Sequence, residues 1–88
     1  MTSSNPPVGS SEAHIEVLVE PFRENDPGQH VAAAIDALTA AGLAPDMGPF
    51  ATTADGDLEV VLAAAASLIR AGFDHGADAI QLRIERSG

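Results

Sequence analysis

His14-Ile15-Glu16-Val17-Leu18-Val19-Glu20-Pro21 decides the architecture. Ile15, Val17 and Val19 alternate with His14, Glu16 and Glu20, which is the period-two pattern of a strand with one covered face. Leu18 interrupts the polar row, so the second face is not wholly wet, and Pro21 ends the strand because it brings no N–H to a ladder. Near the other end of the chain, Ile80, Leu82 and Ile84 alternate in the same way with Gln81, Arg83 and Glu85. Two half-covered strands thus bracket everything between them.

Moving inward, Asp26-Pro27-Gly28-Gln29 offers a capping side chain, a Pro at the first helical position and a Gln three residues after the cap. Val31, Ile35 and Leu38, with Ala34 and Ala41 beside them, form one stripe of the helix that follows, and Gly42 ends it. Residues 43–47 and 50–54 read as two short strands of a hairpin around Gly48-Pro49, the first confined to a sheet edge by Pro45. Asp55-Gly56-Asp57 reads as a turn capping a second helix, along which Leu58, Val61 or Leu62, Ala65, Ile69 and Phe73 repeat as far as Gly76.

The order βαββαβ predicts an α+β, ferredoxin-like fold: a four-stranded antiparallel sheet, spatial order 4-1-3-2, with two helices on one face. Residues 20–23, 47–50 and 72–76 then meet at one end of the sheet and bring Phe22, Phe50 and Phe73 together. His14, Gly42 and Asp55-Gly56-Asp57 gather at the opposite end.

Eighty-eight residues make one domain, with residues 1–12, rich in Ser, Asn, Pro and Gly, read as a flexible tail and residues 13–88 as the folded unit. Apolar residues make up 45% of the chain, but 17 of them are Ala, so the core is thin and burial between subunits becomes an attractive source of stability. Four Arg against 13 acids give a net charge of −9, which repels phosphate backbones, excludes nucleic acid as a partner and suits a small organic cation. No apolar run reaches the roughly 18 residues that cross a bilayer, and the N-terminus lacks the pattern of a signal peptide. These features place the protein in the cytoplasm, away from membranes.

Nothing in the sequence assembles a catalytic or metal centre. His14, His30 and His75 lack ligand spacing, Asp55-Gly56-Asp57-Leu58-Glu59 lacks the twelve-residue frame of a calcium loop, and there is no cysteine. Neither a nucleophile triad nor a phosphate-cradling glycine loop is present, so the reading is a non-enzyme without metal or cofactor. Glu16, Glu20, Gln81, Arg83 and Glu85 project from the face opposite the helices, where Glu16 or Glu20 can pair with Arg83. That face can equally be a solvated surface held by such pairs or, joined by Leu18 and Thr52, the lining of a subunit interface or a shallow ligand pocket.

Val19-Glu20-Pro21-Phe22, Gly42-Leu43 followed by Met47-Gly48-Pro49-Phe50, Thr52 ahead of Asp55-Gly56-Asp57, and Gly76-Ala77 before the last strand form a combined pattern. It resembles the small thiamine-binding proteins, the YkoF-like domains, over residues 13–86, with Asp55 standing where that family often carries Glu. The resemblance implies a ferredoxin-like homo-oligomer, dimer or tetramer, that holds thiamine or its hydroxymethylpyrimidine portion without catalysis, as a carrier, a buffer or an accessory to uptake and salvage. It also implies a site in which Thr52 supplies a hydroxyl, Asp55 or Glu20 a carboxylate, and Phe22 or Phe50 a stacking surface. Asp55 and Phe50 lie about 17 Å apart along an extended strand, so a site using both needs a second subunit. The alternative is a ligand-free interaction or regulatory module that assembles through its sheet face.

Overall fold

The computed structural model describes residues 11–21, 28–49 and 51–87. Its elements are β1 (Glu12–Glu20), α1 (Gly28–Ala40), β2 (Asp46–Met47), β3 (Thr52–Asp57), α2 (Leu58–Asp74) and β4 (Ala79–Arg86). They form one antiparallel sheet in the order β2-β3-β1-β4, the ferredoxin-like arrangement expected from the strand–helix order. Glu12, read as the end of the tail, opens β1.

β1 is one of the two inner strands, paired with β3 on one side and β4 on the other, and its alternation divides the sheet into two faces. Ala13, Ile15, Val17 and Val19 are buried under the helices, where they meet Val31, Ala34 and Leu38 of α1 and Val61, Ala64, Ala65 and Leu68 of α2. Among the described residues, five of the thirteen buried apolar ones are alanine, so the core is as thin as the composition implied. After α1, Gly42 takes φ +95°, a conformation costly for any residue with a Cβ, and the Leu43 N–H returns to the Leu38 carbonyl at 3.1 Å. The start of α2 is capped by Asp57, whose carboxylate accepts the Glu59 N–H at 3.1 Å. The capping group anticipated for the first helix, Asp26-Pro27, lies outside the described residues.

Three sequence expectations need correction. The hairpin strands are Asp46–Met47 and Thr52–Asp57 instead of residues 43–47 and 50–54, because Asp55, Gly56 and Asp57 continue the ladder opposite His14, Ala13 and Glu12. Gly56 allows this: a Cβ there would meet Leu43 Cδ2 at 2.6 Å, so the bare backbone makes room for Leu43 to pack. In α2 the buried face is Val61, Ala64, Ala65, Leu68 and Gly72, whereas Leu62, Ile69 and Phe73 of the expected stripe are exposed. Finally, Arg83 bonds its own-strand neighbour Glu85 at 2.9 Å instead of Glu16 or Glu20, and Glu20 accepts from Gln81 Nε2 at 2.7 Å.

Candidate functional site

At the end of the sheet that holds the C-terminus of β1, where the sequence predicts three chain segments, two junctions among the described residues meet. The Asp78 N–H donates to the Glu20 carbonyl at 2.8 Å, which ties the α2–β4 connection to β1. Gly48 and Ala51, from either side of the hairpin tip, line a cleft together with Val17 and Val19 of β1 and Val31, Ala34 and Ile35 of α1. The Glu20–Pro21 peptide is cis, and the Pro21 carbonyl is bonded by His30 Nε2 from the first turns of α1.

One polar side chain enters the apolar cleft. Thr52 lies opposite Val17 of β1 and Met47 of β2, on the helix-covered side, and is only 7% exposed. Its position corrects the expectation that it shares the open face with Leu18: the pairing Val17–Thr52 fixes it on the inner face. The Thr52 hydroxyl has no hydrogen-bond partner among the described residues. A buried hydroxyl left unpaired costs about 1–3 kcal/mol, which water or a ligand atom entering the cleft would relieve. The enclosed space beside it is about 10 Å³, room for a single water.

The other proposed contacts lie elsewhere. Asp55 projects from the open face and accepts from His14 Nδ1 at 2.8 Å, three residues along β3 from Thr52 and on the opposite side of the sheet. Glu20 also lies on the open face, half-buried at the far end of β1 from His14. Thr52, Asp55 and Glu20 therefore do not converge within one copy of the chain. Phe22 and Phe50 lie outside the described residues. In sequence the aliphatic wall from α1, Val31, Ala34 and Ile35, reads only as core, because its spacing carries no mark that separates a cleft wall from ordinary packing.

The open face holds a wider concavity of about 370 Å³, lined by Glu16, Leu18, Ala51, Gln81, Leu82 and Arg83. Its charges are compensated. The hydrogen bond to Glu85, reinforced by that carboxylate's charge and more weakly by Glu16, raises the Arg83 pKa above its ordinary value. The same bond, then the Arg83 charge and a smaller pull from His14, holds the Glu85 carboxyl below its usual value. Among the described residues no three His, Asp or Glu side chains come together as a metal site, and no helix is long and apolar enough to cross a membrane.

Comparison with known proteins places this geometry. A family model described as thiamine-binding protein matches residues 15–86. A domain of unknown function (DUF77) from Bacillus cereus superposes with a TM-score of 0.65 at 26% identity, covering 86% of this chain and 74% of its own. A candidate thiamine biosynthesis or salvage protein of Thermotoga maritima gives 0.61 at 21% identity, with 84% and 80% covered. A hypothetical protein of Methanocaldococcus jannaschii gives 0.66 at 16% identity, with 89% and 80% covered. No curated protein matches the sequence.

Proposed function

The chain belongs to the thiamine-binding protein family, and from that membership we propose that it binds thiamine or its hydroxymethylpyrimidine portion in the cleft between α1 and the ends of β1 and β3. It does so without chemical conversion, as a cytoplasmic homo-oligomer that carries or buffers the ligand or assists its uptake and salvage. The observation that carries this reading is the buried Thr52 hydroxyl, without a hydrogen-bond partner among the described residues and set among Val17, Val19, Val31, Ala34 and Ile35. An aminopyrimidine needs such a surround: apolar walls for the ring faces and a hydroxyl for a ring nitrogen or the exocyclic amine.

A pyrimidine is larger than the present 10 Å³ space, so binding opens the cleft, and Ile35, the less buried of its two bulky α1 residues, is the wall that gives. Phe22 and Phe50 are the proposed stacking residues. Asp55 and Glu20, on the other face, act as proposed carboxylates only from a second copy of the chain. The net charge of −9 favours approach of the cationic thiazolium of intact thiamine.

Calorimetry with thiamine and with hydroxymethylpyrimidine tests the proposal. The expected result is saturable binding by wild type and at least about tenfold weaker binding by Thr52→Val, the loss of one hydrogen bond in a dry site. Thr53→Val, on the other face, keeps wild-type affinity. Absence of heat and of any thermal shift at millimolar ligand would overturn the reading.

A further inference from the structure

Sulfur is scarce in this chain: there is no cysteine, and the two methionines are Met1 and Met47. Among the described residues Met47 alone carries sulfur. It sits on β2, a strand of two residues that ends the sheet on its side, and 46% of its surface is exposed. A dissolved oxidant therefore reaches its thioether from the outer side.

On its inner side lies the buried hydroxyl of the cleft. Met47 pairs directly with Thr52, and the Gly48 N–H closes the hairpin onto the Ala51 carbonyl at 2.9 Å, which fixes that register. Directly opposed residues of antiparallel strands project to the same face with their Cβ atoms about 4.5–5.5 Å apart. Met47 thus flanks Thr52 from β2 on the helix side, as Val17 does from β1. Rotation about three side-chain bonds lets its sulfur sweep the space over that neighbour. Thr52 is 7% exposed, and its hydroxyl has no hydrogen-bond partner among the described residues. A thioether is a weak acceptor and leaves the hydroxyl unsatisfied, whereas a sulfoxide carries a polar oxygen able to accept it.

We propose that Met47 is a redox modification site whose sulfoxide oxygen accepts the Thr52 O–H, so that oxidation withdraws from the cleft the hydroxyl a ligand would use. The oxidant is hydrogen peroxide or an alkyl hydroperoxide. A sulfur lone pair attacks the hydroxyl oxygen of the peroxide, an S–O bond forms as the O–O bond breaks, and the hydroxyl proton passes to the departing oxygen, which leaves as water or an alcohol. Sulfur gives up two electrons, the peroxide takes them, and the charge of the protein is unchanged. The exposed sulfoxide is open to methionine sulfoxide reductases, which return it to the thioether. This switch deepens the reading of the cleft as the ligand site and rests on it.

The test treats the full chain with hydrogen peroxide, assigns the added oxygen to Met1 or Met47 by peptide mass spectrometry, and titrates reduced and oxidised protein with hydroxymethylpyrimidine by calorimetry. Oxidation of Met47 is expected to weaken binding about tenfold, the loss of one hydrogen bond, and reductase treatment to restore it. In Met47→Leu the same peroxide reaches only Met1 and is expected to leave affinity where it was. A readout without ligand locates the oxygen: oxidation is expected to raise the thermal midpoint of wild type by about 4 °C more than that of Thr52→Val, which offers no donor. If the reduced protein binds and Met47 oxidation moves neither affinity nor midpoint, this proposal alone fails, and an equal midpoint change in Thr52→Val also overturns it. If the reduced protein does not bind, the ligand reading fails and the switch falls with it.

Discussion

The two faces of the sheet treat polar side chains in opposite ways. On the open face the groups find neighbours: His14 with Asp55, Glu20 with Gln81, Arg83 with Glu85. On the covered face the one buried polar side chain, Thr52, has no such neighbour among the described residues. Stability alone favours the reverse, since an unpaired group costs little in water and much out of it. That violation at the covered end of β3 is what supports the proposed ligand site there.

The largest effect that separates the faces comes from the core beneath the helices. Ile15 is fully buried on the inner face of β1, so Ile15→Ala is expected to lower unfolding free energy by about 2–5 kcal/mol. The adjacent Glu16→Ala, exposed on the other face, should stay within about 0.5 kcal/mol of wild type. Urea unfolding of both variants checks the contrast, and equal losses would mean that the open face is also a packed interior.

A smaller effect of opposite sign is expected at Thr52. In the ligand-free protein Thr52→Val removes a buried hydroxyl that no described residue satisfies, so stability is expected to hold or to rise by up to about 1 kcal/mol even as ligand affinity falls. Thr53→Val, half-exposed opposite Glu16, should change neither by much. If Thr52→Val instead destabilises the free protein, the hydroxyl is already satisfied and the inference from the cleft fails.

These faces were only partly legible in the sequence. β1 and β4 carry Ile, Val and Leu on alternate positions, and that alternation was enough to give strand order and topology. β3 offers no such mark, because its inward positions are Thr52, Ala54 and Gly56, none a bulky apolar residue, so Thr52 could be assigned to the wrong face. The Asp55-Gly56-Asp57 segment reads as a turn by composition, and only Leu43 packing over Gly56 explains why it stays a strand. α2 is apolar around most of its circumference, so its period could not select between the phase of Val61, Leu68 and Gly72 and that of Leu62, Ile69 and Phe73.

The smallest effect lies in the open-face ion pair, and its sign follows from the shift. Bonding to Arg83 depresses the Glu85 pKa in the folded state, so the pair's contribution is present above the unfolded carboxyl value near 4.5 and is lost as pH falls through the folded one. Both side chains are more than half exposed, so solvent screens most of that contribution. Glu85→Gln should therefore have a urea midpoint slightly below wild type at neutral pH, and the two curves should converge as pH falls through the depressed folded Glu85 value. A gap that widened toward acid would reverse the sign, and would mean that protonated Glu85 is the form the fold prefers, as on a face closed to water.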